Sequence, residues 1–149
     1  MRRALLLIPL LFACSKTETA KTDSATMAPP APAALTEADV AGTWTGTAMM
    51  AGTDSVIAHW TQVCASGTCK GTSTEAPKDT VTSTYTLMAD SAMGVTQPYA
   101  DPTMKGTKVI DNWTLHVSGG KATGTGKFTL ASKPDSVLMN YRFEGTRNP

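Results

Sequence analysis

Residues 80–88 read Thr-Val-Thr-Ser-Thr-Tyr-Thr-Leu-Met. Val81, Tyr85 and Leu87 fall on one parity, and Thr80, Thr82, Thr84 and Thr86 on the other. Apolar and polar residues alternating at period two mark a strand with one face on a core and one in water, as in an antiparallel sheet. The same parity rule extends outward. Trp44, Ala48 and Met50 alternate with Thr43, Thr45 and Thr47. Trp113, Leu115 and Val117 alternate with Asn112, Thr114 and His116. Ala122, Gly124, Gly126, Phe128 and Leu130 form one face of a later run, and Val137, Met139, Tyr141 and Phe143 one face of the last. The threonines read as outward strand residues rather than as a hydroxyl-based active site.

Turn chemistry separates these runs at residues 51–54, at Ser66-Gly67, Pro77-Lys78-Asp79, Ser118-Gly119-Gly120 and Lys133-Pro134-Asp135, with one long loop over 98–106. Eight strands are predicted, at about 42–50, 55–64, 69–75, 79–88, 92–98, 107–117, 121–131 and 136–147. Thr36-Glu37-Ala38-Asp39 carries the signature of one capped helical turn ahead of them. Short connections in chain order give an all-β, eight-stranded, antiparallel up-and-down barrel over residues 35–149, because closure removes the exposed edges of such a sheet.

The residues before the barrel have a different character. Met1-Arg2-Arg3 is a basic start, and residues 4–13 form an apolar run of ten, half of the roughly twenty that span a bilayer. This reads as a signal peptide over 1–13. Residues 14–34 are rich in Thr, Ala and Pro and hold one large apolar side chain, Met27. Nothing in them offsets the entropy of ordering, so they read as a disordered tether. Of 149 residues, 41% are hydrophobic and 17% charged, which suits one globular domain and excludes a two-domain cofactor enzyme. Without Arg2 and Arg3 the chain carries eleven bases against twelve acids and no basic cluster. No nucleic-acid partner is expected.

Leu11-Phe12-Ala13-Cys14 resembles the lipobox of bacterial lipoproteins. The resemblance implies lipidation of Cys14, palmitate among its acyl chains, and a membrane partner reached through that anchor. It implies localisation to the bacterial cell envelope, with Ser15 favouring the outer membrane, facing periplasm or exterior. Gly42-Thr43-Trp44 resembles the Gly-x-Trp motif that opens the first strand in lipocalins and other calycins. The resemblance implies that Trp44 closes one end of the barrel and that Arg147, from the last strand, packs across it.

Cys64 and Cys69 flank Ala65-Ser66-Gly67-Thr68, a spacing that suits the base of a hairpin. A disulfide is expected in an oxidising compartment. A redox pair would want two intervening residues, and zinc would need two further ligands where only His59 and His116 exist. No metal or cofactor is expected. No Ser-His-Asp grouping, paired carboxylates or phosphate-cradling Gly loop can be assembled, so no catalytic residue is assigned and the chain reads as a non-enzyme.

The candidate ligand-binding set is Met50, Tyr85, Met93, Asp111, Trp113, Met139 and Tyr141, all on inward parities as read from the sequence. Asp111 has two readings. An unbroken strand aims its carboxylate into the barrel as a polar anchor, while a bulge near the strand start or a place at the mouth turns it to solvent. The solvent-facing placement is the expectation. The function expected is binding or carriage of a small, mainly apolar ligand by a monomer, in a cavity on the order of 300 Å³ or more. The alternative is a structural or protein-interaction module of the envelope with a filled core. A third reading has the 98–106 loop bind a protein.

Overall fold

A computed structural model describes residues 34–101 and 106–149. Apart from residue 34, the signal peptide, Cys14 and the tether lie outside the described residues, as do residues 102–105 of the long loop. The elements are α1 (Glu37–Val40), β1 (Gly42–Met50), β2 (Val56–Ala65), β3 (Thr68–Ser73), β4 (Val81–Leu87), β5 (Ala92–Thr96), β6 (Tyr99–Ala100), β7 (Lys108–Ser118), β8 (Lys121–Leu130) and β9 (Lys133–Arg147). From β1 to β5 and from β6 to β9 each strand pairs antiparallel with its neighbour in sequence, β9 returns to β1, and β5, like β6, pairs with β7. The result is a closed eight-stranded up-and-down barrel, as the period-two pattern predicts.

The short β6 continues the β5 position after an interruption. Val95 pairs with Asn112 and Tyr99 with Val109, so three residues on one strand face two on the other. Pro98 sits in that break, where its missing N–H removes no ladder bond. The Thr96 hydroxyl takes the place of a backbone acceptor, receiving the Asp111 N–H at 2.8 Å.

One predicted turn is displaced. Lys133, Pro134 and Asp135 belong to β9, and the turn lies at Ala131-Ser132. Leu130 pairs with Lys133 and Thr129 with Val137, leaving residues 134–136 bulged out of the ladder. Pro134 is accommodated by that bulge, so the turn-like composition marks an irregular strand.

The end of the barrel beside α1 is closed by side chains. The Thr36 backbone N–H and hydroxyl both donate to the Asp39 carboxylate, forming the predicted capping box. Gly42 follows at φ +124°, a conformation that L side chains rarely adopt, and swings the chain from α1 into β1. Trp44, 2% exposed, donates from Nε1 to the Val40 carbonyl at 2.8 Å. The Arg147 guanidinium lies 4.9 Å from the Trp44 ring centroid and donates to the carbonyls of Ala38 and Asp39. Cys64 and Cys69 are direct cross-strand partners and form a disulfide at the base of the Ser66-Gly67 hairpin. Leu35, Val40, Ala92, Leu115 and Ala122 complete a buried cluster around them.

Candidate functional site: the barrel cavity

Beyond that cluster the lumen is not filled. A partly open cavity of about 170 Å³ runs from Cys69 and Leu115 toward Ala58, Ser73 and Phe128. Its existence follows from a pairing of small and large residues across the strands. Gly46 faces Trp60, Gly94 faces Trp113, Gly124 faces Phe143 and Gly126 faces Tyr141. At each of these glycines a Cβ would stand 2.1–2.3 Å from atoms of the facing ring. Each ring therefore lies flat against the wall over a glycine instead of projecting to the axis, as when an aromatic side chain covers a strand glycine. The rings also contact one another: Phe128 stacks on Tyr141 with centroids 5.0 Å apart, and Trp60 meets Phe143 edge-on at 6.1 Å.

Asp111 stands among these rings. β7 is unbroken at this position, and Asp111 pairs with Phe128 on the inner face. The expectation of a solvent-facing carboxylate is thereby corrected: Asp111 lines the cavity. The Tyr141 hydroxyl donates to its two oxygens at 2.9 and 2.8 Å. Burial pushes the Asp111 carboxyl up to about 7, against the opposing effect of the Tyr141 hydrogen bond. Burial and the neighbouring carboxylate drive the Tyr141 phenol well above its ordinary range, and burial does the same to Tyr99. Among the described residues, no Lys, Arg or His lines the cavity.

Of the candidate set, the cavity brings together Asp111, Trp113 and Tyr141. Met93 is corrected outright. It pairs with Thr86 and Thr114 on the outer face and is 53% exposed. In β5 it is Ala92, Gly94 and Thr96 that point inward, and a small inner face carries no hydrophobic signature. Met50 pairs with inward Tyr141, but at the end of β1 it is 41% exposed and lies off the cavity wall. Met139 pairs with Phe128 and is half-buried, also away from the wall. Tyr85 belongs to the closed end: its hydroxyl donates to Glu37 at 2.6 Å, and its ring tilts against Trp113. Burial and the Glu37 carboxylate push its phenol up to about 12.

Trp60, Tyr99 and Phe143 line the cavity and were not in the candidate set. The glycine opposite Trp60 was the available signal, since an inward glycine on one strand marks the place of a large ring on the next. Tyr99 gave none, because the break before it resets its parity. His59 and His116 are both exposed, and among the described residues no three His, Cys, Asp or Glu side chains are grouped to hold a metal ion. No protein-family model matches the chain, and neither a curated protein nor a solved structure matches it.

Proposed function

We propose that this chain is a lipid-anchored protein of the bacterial envelope whose lipocalin-like barrel binds or carries a small, mainly apolar ligand. The observation that carries the reading is the ring-lined cavity in whose wall, among the described residues, Asp111 places one carboxyl. A pocket made of apolar surface and one or two convergent polar groups is the usual form of a small-molecule site. The four inward glycines support it, because each keeps a ring on the wall and the axis clear. The volume of about 170 Å³ narrows the ligand. It is below the roughly 300 Å³ at which pockets for drug-sized molecules begin, and close to the roughly 150 Å³ that accepts a benzene-sized molecule. A ligand of one ring or a short chain fits, and a sterol or haem does not.

In the alternative, a structural or protein-interaction module of the envelope, this small cavity takes no ligand. Native mass spectrometry of the purified chain separates the two: the carrier retains a small-molecule adduct, and the filled barrel none. In a thermal-shift series, one-ring apolar compounds at a hundredfold excess over their dissociation constants stabilise a carrier by about 2.7 kcal/mol. Absence of any adduct together with no shift for any compound would exclude the carrier. The anchor rests on Leu11-Phe12-Ala13-Cys14 and the tether-like residues behind it, since two or more acyl chains hold a protein stably to a membrane. Replacing Cys14 by Ser abolishes acylation and leaves an uncleaved or mislocalised precursor in this account. Native protein that is soluble and carries no lipid mass on Cys14 would contradict it.

A further inference from the structure

The Asp111 carboxyl is under-used by the protein. A carboxylate offers about four lone-pair sites, and here one hydroxyl proton, from Tyr141, serves both oxygens. The Asp111 backbone N–H is spent on Thr96, so it provides no further donor to the site. Among the described residues, the groups packed around the carboxyl from the neighbouring elements, Tyr141 of β9, Tyr99 of β6, Thr96 of β5 and Phe128 of β8, include no cation. A carboxylate taken out of water wants a cation or several donors, and aromatic faces attract cations when both are desolvated. The cavity offers a cation both.

Resting on the carrier reading above, we propose that the cavity selects a small organic ammonium ion, its nitrogen on the Asp111 carboxylate and its apolar body against Phe128, Trp60 and Trp113. The ammonium supplies the positive charge that no described residue of the wall carries, and Tyr141 holds the carboxylate through its hydroxyl. Because burial raises the Asp111 carboxyl to about 7, ammonium binding below that pH releases the Asp111 proton. Only the ionised fraction is competent, so apparent affinity falls by about a hundredfold from pH 8 to pH 5. A neutral ligand of the same shape shows no such dependence.

Isothermal titration of the full chain with benzylamine, benzyl alcohol and phenylacetate at pH 8 and pH 5 tests this. The expected result is that benzylamine binds at least tenfold more tightly than benzyl alcohol at pH 8. Its affinity falls about a hundredfold at pH 5, and phenylacetate binds worst at pH 8. The pH series uses the unaltered chain, so it stands even if Asp111→Asn does not fold. Where that variant folds, it binds benzylamine no better than benzyl alcohol. Benzyl alcohol or phenylacetate binding as tightly as benzylamine at pH 8, or benzylamine indifferent to pH, would overturn the ammonium assignment while leaving the carrier standing. No binding by any of the three at either pH would overturn both.

Discussion

Around α1, polar groups reach into the protein for their partners: Trp44 donates to Val40, Tyr85 to Glu37, Thr36 to Asp39, and Arg147 to two carbonyls while its charge rests on the Trp44 ring. Around Asp111 a buried carboxyl has one hydroxyl for two oxygens and a space of about 170 Å³ in front of it. Both halves are lined by aromatic rings. They differ in what lies beside the rings: at the closed end other side chains and the disulfide, and in the lumen, where the rings also contact one another, facing glycines and the cavity. The first arrangement adds to stability. The second keeps a carboxyl buried among rings with one hydroxyl donor, at a cost to stability.

The comparison is broken most forcefully at Trp44. Trp44→Ala should cost about 3–5 kcal/mol, read from urea midpoints, and Arg147→Ala less. The pair should be non-additive by about 1–2 kcal/mol, as for a desolvated cation–π contact. Full additivity would mean that the plug is not one unit.

Asp111→Asn should have the opposite sign. The folded carboxyl titrates near 7 against an ordinary value of 3.8. Ionising it therefore costs the native state, and stability is lost as pH rises between those two values. The variant should be more stable than the native chain by up to about 4 kcal/mol at pH 8 and no different below pH 4. Chemical denaturation at both pH values checks this, and an equal effect at both would show that the carboxyl is not buried in the native chain.

Smaller effects sharpen the closed end. Replacing Cys64 and Cys69 together by Ala should cost about 2 kcal/mol for so short a loop, read from urea midpoints. Tyr85→Phe removes one hydrogen bond to Glu37 and should cost about 1 kcal/mol, without effect on binding, since its hydroxyl lies off the cavity wall. Tyr85→Phe weakening the ligand tenfold would mean that the closed end helps to shape the cavity.

The strands of the barrel were legible because alternation survives wherever one face is buried. Residues 80–88, 108–118 and 121–130 carry it almost without interruption. Trp44 and Arg147 were legible through the resemblance of Gly42-Thr43-Trp44 to the motif that opens the calycin barrel, and the cysteine pair through a spacing that suits the base of a hairpin. The cavity was legible in part. Asp111, Trp113 and Tyr141 keep their parity along unbroken strands, whereas Met93 lies where the inner residues are Ala, Gly and Thr and its own bulk misleads. Tyr99 follows a break at Pro98 that resets the count, and Pro134 marks a bulge where its composition suggests a turn. Periodicity is silent wherever a strand skips a residue.

The three tryptophans report on both halves at once. Trp60 and Trp113 line the cavity and Trp44 lies in the plug, so the indole N–H resonances of the full chain, titrated with benzyl alcohol at pH 8, test the division directly. The account predicts that the Trp60 and Trp113 signals shift and saturate together while Trp44 stays in place. Three unmoved signals at saturating probe, or a Trp44 signal that moves with the other two, would contradict it.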